Sequence, residues 1–280
     1  MTPIDTVDGM RARAEEARAG GRTVAFVPTM GALHEGHLSL IDRARDACDE
    51  VVVSIFVNPL QFGPHEDLDA YPRDIERDTR LAAARGADTV FAPTAREMYP
   101  DGAPLVTVDP GPLAERLCGA HRPGHFGGVL TVVAKLFSIV TPDVAVFGAK
   151  DYQQAVLVRR MVADFNLPVR IDVAPLVREA DGVAMSSRNA YLSADERRDA
   201  ISLSRGMFAA REAFRDGERS ADRLTAIVRR AVEGAPSMRL QYAELVRPES
   251  LEQADEAREG DVLAAAAYAG ETRLIDNVAL

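Results

Sequence analysis

Short apolar runs alternate with amphipathic segments along the first part of the chain. Five runs rich in β-branched residues occupy residues 23–28, 51–57, 88–91, 143–147 and 169–173. Because these runs are almost entirely apolar, they indicate strands that are buried on both faces. The segments between them have the apolar spacing of amphipathic helices. This alternation predicts an α/β fold with a Rossmann-like, doubly wound parallel sheet.

The pattern changes after the fifth run. A polar loop at residues 178–188 precedes two charged helical segments at 194–217 and 220–234, and strand-like runs follow. This order is typical of a small α+β domain. We therefore predict a Rossmann-like, ligand-binding domain over residues 1–175 and a smaller α+β lid domain over residues 176–280. The strand-like runs of the second domain are residues 239–246, 262–268 and 272–278.

Charge and cysteine content narrow the choice of partners. With 43 acidic and 33 basic residues the net charge is −10, which argues against nucleic acid as a partner. The longest apolar stretch, residues 129–140, contains Lys135 and falls short of the roughly 20 residues that span a membrane. Cys48 and Cys118 are far apart in the sequence, and residues 1–22 lack the apolar core of an export signal. We expect a cytoplasmic protein that binds neither nucleic acid nor membrane.

The first candidate site lies at residues 28–37, with the sequence PTMGALHEGH. An apolar run breaks at Pro and Gly and then enters a helix, so backbone N–H groups and a helix N-terminus face the same point. His34 and His37 lie on one side of the first helical turn, and Gly36 between them lets a flat group approach the backbone. The pattern predicts a nucleotide phosphate site. The alternative is a helix start with two solvent-exposed histidines.

A second candidate site lies at residues 147–154, where a strand-like run ends in glycine and a helix begins. Lys150 adds a mobile positive charge beside the helix N-terminus, which suits a polyphosphate. Asp151 either caps this helix or holds ribose hydroxyls, and the sequence leaves both roles open.

A third candidate site lies at residues 181–193. Ser186, Ser187 and Arg188 follow a glycine, and their hydroxyl and guanidinium donors suit a phosphate clamp on a mobile loop. The alternative is a plain linker between domains.

A fourth candidate site lies at residues 56–62. Asn58 and Gln61 place amide groups among apolar residues, which suits recognition of a small hydroxy acid without added charge. Ordinary turn chemistry explains Asn58 equally well, but it does not explain Gln61.

A zinc site is a competing interpretation of the histidines. His34, His37, His121 and His125 supply four imidazoles. However, Arg122 lies between the last two, where its positive charge would repel a metal, so zinc is the weaker hypothesis.

Taken together and in their order along the chain, the four candidate sites resemble motifs of the pantoate–β-alanine ligase family. This family is part of the HIGH-motif nucleotidyltransferase superfamily. The resemblance implies ATP-dependent condensation of (R)-pantoate with β-alanine through pantoyl adenylate, with release of AMP and pyrophosphate. It implies that residues 1–175 bind nucleotide and pantoate, that Mg²⁺ is required and that the protein is a homodimer. The alternatives are another adenylyl- or cytidylyltransferase and a catalytically silent nucleotide sensor. The resemblance covers residues 20–195 and rests on residues 28–37, 57–62, 71–73, 122–129, 150–154 and 186–189.

The resemblance also implies roles for individual residues. His37 is the family's acid–base candidate, but a carboxylate that attacks phosphorus needs no deprotonation, so we expect His37 mainly to stabilise charge. Ala149 stands where the family commonly carries a polar residue, so a contact is lost there. Asp78 is a candidate magnesium ligand. The catalytic set is His34, His37, Lys150 and Arg188. The pantoate and β-alanine set is Thr29, Asn58, Gln61 and Gln154. The ATP set is Met30, Gly31, Ala32, Leu33, His34, Glu35, Gly36, His37, Gly148, Ala149, Lys150, Asp151, Val177, Met185, Ser186, Ser187 and Arg188.

Overall fold

The computed structural model describes residues 1–64 and 66–280 of the chain. The helices in this part are α1 (Val7–Ala19), α2 (Glu35–Ala47), α3 (Ile75–Ala84), α4 (Ala95–Met98), α5 (Leu117–His121), α6 (His125–Val140), α7 (Tyr152–Asp164), α8 (Ala194–Arg215) and α9 (Ala221–Glu233). The strands are β1 (Val24–Thr29), β2 (Glu50–Ile55), β3 (Thr89–Phe91), β4 (Val144–Gly148), β5 (Arg170–Ala174), β6 (Met238–Val246), β7 (Val262–Ala269) and β8 (Thr272–Ala279). Short 3₁₀ turns cover Pro59–Gln61, Gly111–Glu115, Ala149–Asp151 and Ser187–Tyr191.

Each of the five apolar runs of the first part of the sequence forms a strand of one parallel sheet, as predicted. The strand order is β3-β2-β1-β4-β5. Side chains alternate across the central strand: Ala25 and Val27 join the core beneath α2, whereas the Phe26 ring packs edge-on against Phe137 of α6. Helices thus cover both faces, which explains why the strands are apolar throughout. The order reverses between β1 and β4, the point where ligands bind in such sheets.

Helix α6 contains the long apolar stretch of the sequence. It begins after Gly124, whose φ of 81° lies in the left-handed region, and most of its residues are buried. Lys135 stays half-exposed, with its ammonium over the Tyr99 ring. Within residues 1–64 and 66–280, no helix is both long enough and apolar enough to cross a membrane.

The second sheet is antiparallel, with the order β6-β7-β8. Its central strand is the alanine-rich run: Ala265 and Ala267 face the core formed with α8 and α9, and Ala264 and Ala266 face a separate apolar cluster. Methyl side chains let both layers approach the strand closely. The predicted α+β character of the C-terminal region is confirmed.

The described chain divides into two compact units, and the division is less simple than the predicted boundary at residue 175. Two earlier segments belong to the second unit, because Leu117 and Val156 are buried in one apolar cluster with Tyr242 and Val246. The role of the second unit as a lid stays a prediction. The first unit is Met1–Pro112, Arg122–Ala149 and Leu157–Pro175, and the second is Leu113–His121, Lys150–Val156 and Leu176–Leu280.

Candidate active site

The turn after β1 is held by a buried carboxylate. Gly31 and Ala32 both have positive φ, 83° and 51°, so the chain reverses sharply there. Asp78, which is 1% exposed, accepts hydrogen bonds from the N–H of Ala32 (2.7 Å) and the N–H of Leu33 (2.9 Å). A Cβ on Gly31 would lie 3.0 Å from an Asp78 oxygen, so glycine fits here for both conformation and space. Asp78 therefore fixes the turn that leads into α2.

The two histidines of the motif stack at the start of α2. His34 is the N-cap, and the ring centroids of His34 and His37 are 4.0 Å apart with 28° between their planes. The backbone N–H of His34 donates to Nδ1 of His37 at 3.4 Å. Since Nδ1 accepts, the neutral His37 ring carries its proton on Nε2. The pair thus presents imidazole donors beside a helix N-terminus, where anions are favoured.

The other residues of the motif have different surroundings. Leu33 is buried in the core, so only its backbone can contact a ligand. Glu35 is exposed and pairs with Arg85. The hydroxyl of Thr29 donates to the carbonyl of Ser54 at 2.6 Å and accepts from the N–H of Gly31 at 3.2 Å, so it supports the turn.

Asn58 and Gln61 form a buried amide pair after β2. Asn58, 1% exposed, uses both of its donors and both of its acceptor positions inside the protein. Its Nδ2 donates to Gln61 Oε1 and to the Gly128 carbonyl, each at 3.1 Å, and its Oδ1 accepts from the Tyr99 hydroxyl at 2.9 Å and from the N–H of Leu60 at 3.3 Å. The predicted contact of Asn58 with substrate would break one of these bonds, so the geometry assigns it to orienting Gln61.

Gln61 is held from two sides. The side-chain Nε2 of Gln61 donates to the Met30 sulfur at 2.9 Å, and the backbone carbonyl oxygen of Gln61 lies 2.7 Å from Nδ1 of His125. Arg122 donates to the other nitrogen of His125 at 2.9 Å, so the neutral imidazole carries its proton on Nδ1 and donates it to Gln61. Arg122 in turn forms a bidentate pair with Glu66. Burial raises the pKa of Glu66, but hydrogen bonds and charge from Arg122 hold that pKa below its ordinary value.

Asp78, the predicted magnesium ligand, and two histidines of the competing zinc interpretation, His121 and His125, are engaged in other contacts. Both oxygens of Asp78 face the Ala32 and Leu33 amides, so the carboxylate does not fit as a magnesium ligand. His125 is bonded to Gln61, and the His121 ring stacks on Tyr242 at 5.6 Å. In the part of the chain that the structure describes, no group of three or more His, Cys, Asp or Glu side chains is arranged to hold a metal ion.

In the second unit, Lys150 and Asp151 follow the end of β4. They lie in the 3₁₀ turn before α7, with the Lys150 ammonium 3.7 Å from an Asp151 carboxylate oxygen. Gln153 is buried and clamps an earlier loop: its Nε2 donates to the carbonyls of Leu113 (2.9 Å) and Arg116 (2.7 Å). Gln154, the next residue of the helix, is half-buried. Gln153 is therefore structural, and Gln154 remains the candidate for a substrate contact.

The third candidate site is an ordered hairpin rather than a plain linker. Val177 and Met185 pair through a 3.0 Å backbone hydrogen bond, and Arg178 forms a bridge with Ala184. Arg197 pairs with Glu179 at 2.8 Å and with Asp181 at 2.6 Å. Although burial raises the pKa of Asp181, hydrogen bonds from Arg197 lower it below the ordinary value. The hairpin leads directly into the 3₁₀ turn Ser187–Tyr191, capped by Ser186 and containing Arg188.

Sequence reasoning missed two contributors to the first unit's site and gave a third, Asp78, a different role. The hydroxyl of Tyr99 orients Asn58, His125 holds the backbone carbonyl of Gln61, and Asp78 anchors the turn. The available signals were indirect: a tyrosine after β3, and an RPGHF motif, residues 122–126, whose arginine and histidine were considered only in the zinc interpretation.

Comparisons with known proteins cover nearly the whole chain. A sequence model of the family described as pantoate-beta-alanine ligase matches residues 2–279. Pantothenate synthetase from Pelotomaculum thermopropionicum is 52% identical over 280 residues, which is 100% of this chain and 99% of that protein. The crystal structure of pantothenate synthetase from Thermus thermophilus has a TM-score of 0.92 and 47% identity, with 99% of both chains covered. Pantoate-beta-alanine ligase from Francisella tularensis, complexed with beta-gamma ATP and beta-alanine, has a TM-score of 0.80 and 33% identity, with 99% of this chain and 98% of that chain covered.

Proposed function

The chain belongs to the pantoate-beta-alanine ligase family, and on that premise we propose how its residues carry out the family's reaction. The enzyme condenses (R)-pantoate with β-alanine at the expense of ATP, through pantoyl adenylate, and releases AMP and pyrophosphate. The observation that carries the proposal is the Asp78-anchored turn, which presents stacked His34 and His37 at the start of α2.

The first half-reaction forms pantoyl adenylate. A pantoate carboxylate oxygen bonds to the α-phosphorus of ATP, and the bond from that phosphorus to the bridging oxygen of pyrophosphate breaks. Negative charge builds on the phosphoryl oxygens, so fixed donors lower the barrier. We assign this role to His34 and His37 in the first unit, and to Lys150 and Arg188 in the second.

The second half-reaction forms the amide bond. The amine of β-alanine attacks the acyl carbon of pantoyl adenylate, the bond to the AMP oxygen breaks, and the nitrogen loses a proton. This step needs orientation and exclusion of water more than a protein nucleophile. Neither half-reaction therefore assigns a covalent role to Cys48 or Cys118.

Pantoate recognition is assigned to Gln61, with Asn58 as the residue that orients it. Asn58 and Met30 hold the Gln61 amide in one rotamer, and His125 fixes its backbone. A pre-oriented amide offers both a donor and an acceptor to the hydroxy acid at little entropic cost. Gln154 is the second candidate for this substrate. Thr29 is better assigned to supporting the turn, because its hydroxyl is engaged with Ser54 and Gly31.

The ATP assignments of the motif residues are kept with two adjustments. Leu33 contributes backbone only, and Glu35 is turned toward Arg85. The side chain of Ala149 offers no hydrogen bond to ATP. Gly148, Asp151, Val177, Met185, Ser186 and Ser187 keep their proposed roles in nucleotide binding.

Magnesium is proposed to enter with the nucleotide. Mg²⁺ is commonly bound through substrate phosphates with several waters and only one or two carboxylates. Asp78 is committed to backbone amides, so no carboxylate of this turn is assigned as a ligand. The metal would neutralise phosphate charge, and the residues named above do the orienting.

A homodimer is proposed from an apolar surface of the first unit. Leu105 and Val106 are 103% and 86% exposed, and Val106 borders a groove of about 850 Å³. The groove carries both charges, with Arg11 and Lys135 beside Glu97 and Asp109. A surface with a protruding apolar segment, an adjacent groove and mixed charge suits a twofold contact with a second copy.

A reducing compartment is proposed for the protein. Cys48 and Cys118 are thiols in the structure, and neither has a disulfide partner in the described part of the chain. Thiols persist where the glutathione pool keeps them reduced, so the cytoplasm is the location we assign.

To test the proposed reaction, purified protein is incubated with ATP, Mg²⁺ and (R)-pantoate, with and without β-alanine. AMP and pyrophosphate are quantified, and products are identified by mass. The proposal expects pantothenate and AMP in equal amounts when the amine is present. A stable nucleotide product would instead indicate another nucleotidyltransferase, and ATP binding without turnover would indicate a nucleotide sensor.

A further inference from the structure

Two consecutive residues of β8 contact Lys150 and the hairpin that leads to Arg188. β8 is the terminal strand of its sheet, and successive side chains of a strand point to opposite faces. Leu274 and Val278 pack in the apolar core with residues of α8, so Asp276, which lies between them at the same spacing, is on the face of β8 toward α8. Ile275 and Asn277 are on the opposite face. One strand can therefore contact two different segments.

Asp276 holds the hairpin that leads to Arg188. Its carboxylate, 1% exposed, receives two hydrogen bonds of 2.7 Å from the guanidinium of Arg178. Arg178 also donates to the Gly182 carbonyl at 3.1 Å, and its guanidinium lies over the Phe208 ring, 4.6 Å from the centroid. A half-buried arginine that is both bidentate and stacked has little freedom, so the hairpin is fixed to β8.

Asn277 holds the other segment. Its Nδ2 donates to the backbone carbonyl of Lys150 at 3.0 Å. Burial raises the pKa of Asp276, while the charges of Arg178 and Lys150 oppose that rise, so both cations act on one carboxylate. The Lys150 backbone and the hairpin are thus fixed to adjacent residues of the same strand.

We propose that Asp276 and Asn277 are positioning residues that set the placement of Lys150 relative to Arg188. The inference rests on the proposed roles of these two cations in adenylate formation. Two donors that meet one polyphosphate must be held at a fixed separation, because a displacement of about 1 Å can cost on the order of 100-fold in rate. The consequence is specific: the half-reaction that handles pyrophosphate depends on this strand more strongly than aminolysis does.

The test uses the full-length enzyme and separates the two half-reactions. Asn277→Leu keeps the volume but removes the donor, Asp276→Asn removes the charge, and Arg178→Lys keeps the charge but removes the bidentate fork. Val278→Ala is the matched control, because Val278 lies on the same face of β8 as Asp276 and belongs to the apolar core. For each variant, pyrophosphate release in a single turnover, aminolysis of added pantoyl adenylate, KM for ATP and melting temperature are measured.

We expect pyrophosphate release to fall about 10-fold in Asn277→Leu and about 100-fold in Asp276→Asn, with Arg178→Lys between them. Aminolysis of added pantoyl adenylate should stay within about twofold of wild type in all three, because pyrophosphate takes no part in that step. Val278→Ala should lower the melting temperature and slow neither half-reaction selectively.

Equal losses in both half-reactions, or wild-type pyrophosphate release in a folded Asn277→Leu variant, would overturn the inference. If Asp276→Asn does not fold, Asn277→Leu and Arg178→Lys decide the matter. Wild-type protein that makes no pantothenate would overturn the proposed function as well, whereas an active wild type with unaffected variants would overturn this inference alone.

Discussion

The carboxylate of Asp78 accepts the backbone N–H of Ala32 at 2.7 Å, across 46 positions of sequence. The bond joins the first turn of α3 to the turn after β1, and a second bond reaches Leu33. A buried carboxylate that accepts two N–H groups stabilises a backbone conformation that Ala32 adopts reluctantly, with φ of 51°. The placement of His34 and His37 depends on this turn.

Replacement of Asp78 by Asn should weaken the turn. The amide can accept one of the two N–H groups but presents N–H to the other, so we expect the free energy of unfolding to fall by about 1–3 kcal/mol and KM for ATP to rise. Chemical denaturation and steady-state kinetics measure the two effects. Glu76→Gln, on the exposed side of the same helical turn, is the control and should change neither. Unchanged KM for ATP in Asp78→Asn would contradict the role assigned to this turn.

Replacement of Tyr99 by Phe should act on pantoate rather than on ATP. The variant removes the hydroxyl that donates to Asn58, so the amide that orients Gln61 loses one of its hydrogen bonds. Burial raises the pKa of Tyr99 to about 12, so the hydroxyl is a neutral donor across the working range of pH. We expect a loss of about 1 kcal/mol in stability and a several-fold rise in KM for pantoate. Tyr268→Phe, in the second unit, is the control. In Tyr99→Phe, a rise in KM for ATP as large as the rise in KM for pantoate would refute the assignment.

The Glu66–Arg122 pair should make stability depend on pH at the acidic end. The folded-state pKa of Glu66 lies below its ordinary value of 4.5, so the pair stabilises the protein above that pH, and the contribution is lost as pH falls through the folded-state pKa. Glu66→Gln should lower the free energy of unfolding by about 1–2 kcal/mol near neutral pH. The difference from wild type should shrink on acidification below pH 4.5, and urea titrations at several pH values measure it. A difference that stays constant with pH would argue against the ion pair.

His37→Ala and Lys150→Ala should each slow adenylate formation. Each removes a donor from the charge that develops on the phosphoryl groups, so we expect a loss of about 2–4 kcal/mol of transition-state stabilisation in a folded protein. Single-turnover pyrophosphate release measures the loss. Arg159→Ala removes an exposed cation from α7 and serves as the control. Wild-type rates in either variant would remove that residue from the catalytic set.

Leu105→Glu combined with Val106→Glu should separate the proposed dimer. Burial of carboxylates against the groove is costly, so the double variant should sediment as a monomer at concentrations where the wild type is a dimer. Ile75→Glu, which changes another exposed apolar residue, is the control. A monomeric wild type would rule out the proposed interface.

The pattern of apolar residues predicted the strands well, because a strand that is buried on both faces is a continuous apolar run in the sequence. Residues 143–147 and 169–173 were identified as strands from apolar runs alone, and β4 and β5 occupy nearly the same positions. The exact limits of the helices are harder to obtain from the pattern: α1 begins at Val7 and ends at Ala19, because Thr6 caps it and the chain turns at Gly20. Such limits depend on side-chain caps, which short-range periodicity does not reveal.

The sequence by itself determined the architecture and the chemical types at the site: two turns that contain glycine and follow parallel strands, a histidine pair, a lysine at a helix start and a serine–arginine loop. The residues of each signal lie within a short stretch of sequence, where the spacing fixes the local geometry. Only the tertiary structure decided that Asp78 anchors a turn, that Tyr99 and His125 orient Gln61, and that β8 holds both Lys150 and the hairpin before Arg188. Those partners are 41 to 127 positions apart in sequence. Hydrogen bonds at such separations form when the core packs, and no local pattern records them.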